Sequence, residues 1–364
     1  MRKAYKYRIY PTSSQESALR SVLEECRWLY NTFLAERKAL WEQEQKSLGL
    51  YAQEAGIIAL RAERPSLALV YSQTMQNVAV RIDLAFKAFF RRVKAGEKPG
   101  YPRFKGSGQY HSFTYPQNNG AFKILEGGLV RLSKVGDVKC KYHRPFEGVL
   151  KTCTFSRTQT GKWFVSFSCE VEPSPLPFSE LEVGIDVGLT TFATFSDGGT
   201  IQNPRFFKRE QKALARAQRS KRKKVVARVH ERVVNKRKNF AHQEAKRVAD
   251  KYGFVSVEDL NIKNMVVRGS FPHLSKSIAD AAWGSFLTCV SHKAESAGRA
   301  FVRVNPAYTT QDCSECGTRQ VLKLSDRTYV CGACGLNINR DLNAARNILR
   351  VGLHSLDKGA SSCS

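Results

Sequence analysis

The sequence predicts a multidomain α+β protein, and three patterns along its 364 residues support this prediction. A strand-like N-terminus leads into segments with helical periodicity, and short strand-like segments with turn signals follow them. Beyond residue 181, strands alternate with long helices, a pattern typical of an α/β domain. A chain of this length is long enough for two or three domains.

The N-terminal half combines a strand, helices and further strands. Residues 1–10 alternate like a strand, and helical periodicity in 19–34 and 71–92 predicts a small helical module over 13–104. Short strands with glycine-containing turns follow in 122–170. Because a strand also precedes the helices, we predict one β-barrel or sandwich with the helical module inserted between its strands.

The charge balance predicts a polyanionic partner. Lys and Arg number 59 against 32 Asp and Glu, a formal net charge of +27, and such an excess weakens a compact fold through self-repulsion. Nucleic acid fits this charge better than an anionic membrane does, since no apolar run approaches the ~18 residues of a spanning helix. The N-terminus shows no apolar signal segment, so we expect a cytoplasmic protein, associated with the nucleoid when bound to DNA.

The most basic segment is residues 205–238, with fifteen Lys and Arg against two Glu. A solvated or disordered basic tail is the ordinary explanation for such a run. Apolar residues still recur at helical spacing within it, from Ala213 to Val233, and this favours one folded helix whose outer face meets phosphates.

Aromatic and basic residues also interleave in three short segments, a mixture that can stack on bases and contact phosphates. The alternative, in which the aromatic rings face the core and the basic groups face water, is equally compatible with the pattern. The candidate nucleic-acid contacts are Lys6, Arg8, Tyr101, Arg103, Lys105, Arg205, Lys208, Arg209, Arg219 and Arg222.

Three acidic residues lie in strand or helix contexts far apart in the sequence. Asp186 lies in a predicted strand between Gly184 and Gly188, positions without side chains that would leave room for a metal ion and a phosphodiester. Glu258 ends an apolar strand, and Asp341 begins an amphipathic helix. Each alone is equally well explained as a turn acid, a strand-end acid or a helix cap.

Taken together, three such carboxylates are typical of a phosphodiesterase site. Carboxylates from two strands and one helix can hold two Mg²⁺ ions ~3.5–4 Å apart, which activate a water and stabilise the leaving oxygen. The seven histidines show no ligand spacing, and no Ser-His-Asp arrangement is visible. We therefore predict that Asp186, Glu258 and Asp341 are catalytic ligands of magnesium.

The four cysteines Cys313, Cys316, Cys331 and Cys334 form two C-x-x-C units separated by fourteen residues. This spacing predicts one zinc ion bound by four thiolates, with glycines beside the cysteines that allow the knuckles to turn. A redox dithiol is the competing interpretation, but two paired units favour a single closed site. Four protein ligands leave no open coordination position, so this zinc would be structural.

These motifs together resemble the TnpB family, compact RNA-guided DNA endonucleases encoded by insertion sequences. Lys6–Pro11 is similar to the family's opening, Gly184–Gly188 to its first RuvC motif and Val257–Asn261 to its second. Tyr308–Gly317 leads into the cysteines as in the family's zinc ribbon, and Asn339–Asn347 resembles the third RuvC motif.

The resemblance implies an RNase H-like (RuvC) α/β nuclease domain with an inserted zinc ribbon, a split β-barrel wedge domain and a helical recognition module. It also implies that a guide RNA directs cleavage of double-stranded DNA beside a short target-adjacent motif. The implied boundaries are 1–12 and 105–178 for the wedge, 13–104 for the helical module, 179–306 and 336–353 for the nuclease, 307–335 for the ribbon and 354–364 for a C-terminal tail.

Two other functions compete with that of an endonuclease. A catalytically silent, RNA-guided regulator would have lost a carboxylate, and none is missing here. A DNA-joining transposase would join strands at the ends of the mobile element, and an accessory DNA-binding protein of transposition is a further alternative. No nucleophilic tyrosine motif supports that reaction.

Overall fold

The computed structural model describes residues 1–118, 120–267, 272–323 and 325–360. It divides into two compact units, an N-terminal unit, Met1–Glu172, and a C-terminal unit, Pro173–Ser364. Each unit contains both helices and strands, so the predicted mixed α+β class is confirmed. The finer domain boundaries stay predictions.

One seven-stranded antiparallel sheet organises the N-terminal unit, with the strand order β2-β6-β7-β1-β5-β4-β3. The strand β1 pairs with β7 on one side and with β5 on the other, so the N-terminal strand belongs to the same sheet as the later strands. The strands are β1 (Arg2–Tyr10), β2 (Ser112–Tyr115), β3 (Phe122–Leu125), β4 (Leu129–Leu132), β5 (Gly136–Lys141), β6 (Val149–Arg157) and β7 (Trp163–Glu170).

This sheet curls, because residues from its two opposite edges approach one another. Tyr115 of β2 and Phe122 of β3 have ring centroids 6.2 Å apart, and both side chains are buried. The Tyr115 hydroxyl also donates to the carbonyl of Ser133, which follows β4. In the part of the chain that the structure describes, β2 and β3 do not pair, so a closed barrel stays a prediction.

Three helices lie between β1 and β2: α1 (Ser13–Glu44), α2 (Leu50–Glu63) and α3 (Ser72–Lys94). The helix α1 begins with a capping box in which Thr12 and Gln15 each accept the other's backbone N–H, at 3.3 and 3.0 Å. The buried Arg37 links the helices, since its guanidinium donates to Gln53 of α2 at 2.7 Å and lies 3.4 Å from Asp83 of α3.

A five-stranded sheet organises the C-terminal unit, in the order β10-β9-β8-β11-β12. The strands β8, β9 and β10 form an antiparallel meander, whereas β11 and β12 run parallel to β8, as expected of an RNase H-like sheet. The strands are β8 (Glu182–Val187), β9 (Thr191–Phe195), β10 (Thr200–Gln202), β11 (Phe254–Glu258) and β12 (Ala300–Val304).

The basic segment forms two helices, α4 (Phe206–Arg219) and α5 (Lys223–Lys251), so the prediction of one helix was wrong. The chain turns at Lys221, whose φ is 51°, and the two helices pack together. Glu210 of α4 binds Arg232 and Lys236 of α5, both at 3.1 Å. The predicted apolar stripe supplies the buried contact through Leu214, Ala217, Val229 and Val233, whereas Ala213 is exposed.

The described part of this unit contains four more helices: α6 (Ile262–Val267), α7 (Pro272–Ala281), α8 (Trp283–Ser296) and α9 (Arg340–Ala360). A short antiparallel pair, β13 (Thr328–Val330) and β14 (Asn337–Asn339), precedes α9 and belongs to the four-cysteine segment. Within the described ranges, none of the helices combines the length and apolarity needed to cross a bilayer.

The helix α9 packs on the sheet at glycine positions. A Cβ atom at Gly184 of β8 would lie 2.1 Å from the carbonyl oxygen of Ala345, and one at Gly352 would lie 2.3 Å from Oγ of Ser256. The Ser256 hydroxyl donates to the carbonyl of Ile348 at 2.8 Å. The space beside Gly184 is therefore occupied by the α9 backbone, and our expectation that this position leaves room for a metal ion was wrong.

Replacing Gly184 with alanine should displace α9. We expect Gly184→Ala to destabilise the protein by about 3 kcal/mol through overpacking and to lower the midpoint of thermal unfolding by about 6–12 °C. Gly284→Ala in α8 is the control, because its Cβ atom would lie 3.4 Å from Ile262, an ordinary contact. Equal midpoints for the two variants would contradict this packing.

Candidate active site and four-cysteine metal centre

The three predicted carboxylates lie on adjacent elements. Asp186 is near the end of β8 and Glu258 ends β11, and these strands are parallel neighbours in which Val257 faces Ile185. Neighbouring parallel strands bring their carboxyl ends to one edge of the sheet. Asp341 lies in the first turn of α9, the helix that packs on β8 and β11.

The electrostatics show that the three acids interact. Burial, together with the negative charges of Glu258 and Asp341, raises the pKa of Asp186 from 3.8 to about 8, against a smaller lowering by Arg340. The pKa of Glu258 is raised by burial as well, and a hydrogen bond from Thr309 opposes this rise. Because the charges of Glu258 and Asp341 disfavour ionisation of Asp186, a bound cation would relieve this repulsion.

Glu258 and Asp341 do not play the structural roles that the sequence left open. Glu258 is only 9% exposed, so it is not a strand-end acid at the surface. Asn339 caps α9, because its side-chain oxygen accepts the backbone N–H groups of Asp341 at 2.8 Å and Leu342 at 3.2 Å. The Asp341 carboxylate therefore does not act as the cap, and its Oδ1 lies 3.7 Å from Nε of Arg340.

The four cysteine thiols form the tightest group of potential metal ligands in the described residues, with all four sulfurs within 4.8 Å of one another. The Sγ atoms of Cys313 and Cys334 are 3.6 Å apart, as are those of Cys316 and Cys331. Tetrahedral zinc with Zn–S bonds of ~2.3 Å separates its sulfurs by about 3.8 Å, so the arrangement suits a closed metal site. All four thiols are free of disulfides. The carboxylate oxygens of Asp186, Glu258 and Asp341, in contrast, do not all lie within 4.8 Å of one another.

The two cysteine knuckles have the same backbone geometry. Gly317 donates its N–H to the carbonyl of Cys313, and Gly335 donates to that of Cys331, both at 3.0 Å. Gly317 and Gly335 adopt φ values of 76° and 74°, a left-handed conformation that favours glycine. Gly332, the third glycine beside a cysteine, has no positive φ.

The surroundings of the cysteines favour thiolates at two positions. Hydrogen bonds from the hydroxyl and backbone of Thr318 lower the pKa of Cys316 to about 6, and backbone N–H groups of Cys334 and Ala333 lower the pKa of Cys331. At Cys334 a hydrogen bond from the backbone of Leu336 lowers the pKa. Burial and the neighbouring thiols outweigh this bond and raise the pKa of Cys334 to about 12. Four thiolates this close require a cation.

The predicted nucleic-acid residues of the N-terminal unit lie against aromatic rings. The Nζ atom of Lys6 lies 4.2 Å and the guanidinium carbon of Arg8 5.2 Å from the centre of the Phe164 ring. Tyr101 makes edge contacts with two phenylalanines of α3, and Lys105 lies over Tyr30 at 5.6 Å. Arg103, in contrast, is exposed.

The predicted residues of the C-terminal unit are exposed. Arg205 and Lys208 line a cleft of about 430 Å³ together with Lys276 and with Leu189, which follows β8. The backbone N–H of Lys208 is held by the buried carboxylate of Asp280 at 3.1 Å. These basic side chains are placed where phosphates could reach them, and their contacts stay a prediction. The other exposed members are Arg209, Arg219 and Arg222.

Sequence reasoning missed three buried polar residues around the site: Thr309, Asn343 and Asn347. Thr309 donates its hydroxyl to Glu258, and the two asparagines bond the segment before Cys313. The two asparagines interrupt the apolar face of α9 at i and i+4, a signal that could have indicated buried hydrogen bonds.

Three family models match the chain. "Cas12f1-like, TNB domain" covers residues 283–348, "Probable transposase" (OrfB_IS605) covers 166–268 and "Helix-turn-helix domain" (HTH_OrfB_IS605) covers 1–46. In the last of these ranges the structure has one strand and one long helix, so the helix-turn-helix description does not fit the fold.

Relatives match along nearly the whole chain or along about half of it. A putative RNA-guided DNA endonuclease of Streptomyces pristinaespiralis is 32% identical over 381 residues, spanning 100% of this chain and 91% of the relative. The putative RNA-guided DNA endonuclease InsQ of Escherichia coli K12 is 30% identical over 378 residues, spanning 96% and 92%. The CRISPR-associated endodeoxyribonuclease Cas12f1 of Sulfoacidibacillus thermotolerans is 28% identical over 218 residues, about half of each chain.

A five-stranded mixed sheet with three interacting acids and an adjoining four-cysteine centre defines a RuvC-like class of protein. Within that class, the chain belongs to the TnpB family of RNA-guided DNA endonucleases encoded by insertion sequences. The resemblance inferred from the sequence motifs is thereby confirmed.

Removing one thiol should empty the four-cysteine centre. We expect Cys316→Ser to reduce the zinc content, measured by mass spectrometry of the purified protein, from one ion per chain to a small fraction of one. Cys289→Ser, at a half-buried cysteine outside the cluster, is the matched control and should retain the ion. Full zinc occupancy in Cys316→Ser would contradict the assignment.

The raised pKa of Asp186 predicts a pH-dependent stability. The folded protein retains a proton on Asp186 that the unfolded chain releases, so without added magnesium its stability falls as pH rises from 3.8 to about 8 and levels off above that. The slope should approach about 1.4 kcal/mol per pH unit. Thermal unfolding between pH 6 and 8.5 should show this loss in the wild type and not in Asp186→Asn, and magnesium should restore more stability at pH 8.5 than at pH 6. Parallel pH profiles of stability for the wild type and Asp186→Asn would contradict the raised pKa of Asp186.

Proposed function

We propose that this protein hydrolyses DNA at a two-magnesium centre held by Asp186, Glu258 and Asp341, and that a guide RNA selects the target. The observation that carries the proposal is the meeting of the three acids at one edge of the sheet, where Glu258 and Asp341 raise the pKa of Asp186. The full-length similarity to proteins named as RNA-guided DNA endonucleases supports the same activity.

The donor set of the trio fits magnesium. Hard divalent cations prefer carboxylate oxygens, and a cation would favour the ionised form of Asp186, whose pKa is raised by burial and by the two neighbouring acids. When bound, two Mg²⁺ ions supply an activated water and stabilise the leaving oxygen of the phosphodiester. The chain's own contribution is placement: β8 and β11 present Asp186 and Glu258, and α9 presents Asp341 beside Gly188, whose Cβ position lies 4.0 Å from Asp341 Oδ2.

The four-cysteine centre is proposed to hold one zinc ion with a structural role. Four thiolates complete a tetrahedral shell, so no position remains for a water or a substrate. Zinc would therefore maintain the fold of the segment between β12 and α9.

The proposed partners are a guide RNA and target double-stranded DNA. The net charge of +27 suits two polyanions, and the exposed basic residues of α4 and α5 would contact phosphates. In such a division of labour, base pairing reads the target sequence and the protein reads a short target-adjacent motif and the duplex shape. No observation favours a DNA-joining transposase or a silent regulator over cleavage.

Neutralising Asp186 should abolish cleavage and leave binding intact. With its guide RNA and a matched duplex, Asp186→Asn should cut at below about 1% of the wild-type rate, a barrier increase of about 2.7 kcal/mol, because one metal ligand loses its charge. Target binding, measured by gel shift, should stay within about twofold.

Asp250→Asn is the matched control, since this carboxylate lies on α5 in an exposed pair with Lys246. It should cut at the wild-type rate. Cleavage that survives Asp186→Asn would exclude the proposed centre, and a wild-type protein that joins strands instead of cutting them would favour the transposase.

A further inference from the structure

We propose that Thr309 is a positioning residue that orients Glu258 for metal binding. Through Thr309, the position of the Glu258 carboxylate depends on the position of the zinc-binding segment. The inference rests on the proposed function, since it assigns a residue that acts through one of the proposed metal ligands. Thr309 itself would touch neither metal nor substrate.

The contact between Thr309 and Glu258 is buried. Thr309 is 4% exposed and Glu258 is 9% exposed, and the threonine Oγ1 donates a hydrogen bond to Glu258 Oε1. A hydroxyl donor fixes the orientation of a carboxylate and leaves its negative charge intact. A lysine or arginine in the same place would neutralise that charge. One oxygen of Glu258 is thereby held, and the second remains available to a cation. Residues that hydrogen-bond to metal ligands fix the orientation of those ligands.

A network of side-chain amides fixes Thr309 in turn. The Nδ2 group of Asn347 on α9 donates to the carbonyl oxygens of Thr309 at 2.9 Å and Asp312 at 2.7 Å. Asn343, one helical turn earlier, donates to the same Asp312 carbonyl at 2.8 Å. The side-chain oxygen of Asn343 accepts the backbone N–H of Ser314 at 2.9 Å.

This network connects the two metal centres. Asp312 and Ser314 are the sequence neighbours of Cys313, so both asparagines hold the first cysteine knuckle against α9. The asparagines are 0% and 1% exposed, and burying two amides is costly unless their hydrogen bonds form. The knuckle, Thr309 and the helix that carries Asp341 are therefore fixed together. A metal ion in the four-cysteine centre should stabilise the position of Glu258.

A matched pair of substitutions tests this role. Thr309→Val preserves the shape and removes the hydroxyl, whereas Thr309→Ser retains the hydroxyl. The first measurement is Mn²⁺ binding by the zinc-loaded, nucleic-acid-free protein, followed by electron paramagnetic resonance. We expect Thr309→Val to weaken Mn²⁺ binding by about 10- to 100-fold and Thr309→Ser by less than about threefold.

The cleavage assay supplies a second measurement. Thr309→Val should lower the cleavage rate and raise the Mn²⁺ concentration needed for half-maximal rate, with target binding and zinc content unchanged. A double variant tests whether the effect passes through Glu258. Adding Thr309→Val to Glu258→Gln should not weaken Mn²⁺ binding any further.

The outcomes separate this inference from the proposed function. A wild-type protein that neither binds Mn²⁺ nor cuts DNA overturns the proposed function. If the wild type is active and Thr309→Val matches it in Mn²⁺ binding, only the positioning role is wrong. Loss of zinc and of thermal stability in both Thr309 variants would show that Thr309 acts in folding alone, and additive losses in the double variant would show that it does not act through Glu258.

Discussion

The close approach of α9 to the five-stranded sheet is the constraint on which the rest of the C-terminal unit depends. The α9 backbone lies where a side chain at Gly184 would otherwise lie, and the Ser256 side chain of β11 lies where one at Gly352 would lie, so the close approach requires glycine at both positions. This approach brings Asp341 to the edge of the sheet where β8 and β11 end. The same helix also hydrogen-bonds to the cysteine segment through Asn343 and Asn347. The carboxylate site and the four-cysteine centre are thus both positioned by α9.

The raised pKa of Asp186 follows from that packing. Burial of Asp186 beside the charges of Glu258 and Asp341 opposes its ionisation in the metal-free fold, and the raised pKa of Asp186 is the result. Function here costs stability locally, as is common at active sites. The hydrophobic core beneath the site, with Val183, Val255 and Phe286 fully buried, compensates for it.

Much of this arrangement could be predicted from local sequence. The cysteine spacing identifies a metal site because ligand spacing reflects the geometry of one knuckle, and the acids could be placed because each lies at the end of a recognisable strand or helix. In contrast, the turn at Lys221 contains neither glycine nor proline, so no local signal divides α4 from α5. The roles of Gly184 and Thr309 depend on partners distant in sequence, Ala345 and Glu258, which only the tertiary fold brings near.

The position of β1 in the middle of the N-terminal sheet bears on how the protein is synthesised. Its neighbours β7 and β5 follow it by more than a hundred residues, and the first backbone nitrogen donates to the carbonyl of Val171. The ribosome must therefore release the three helices and six further strands before the first strand finds its second partner. Such distant pairing slows folding and leaves β1 unpaired for longer, whereas the local contacts of α1 to α3 can form early.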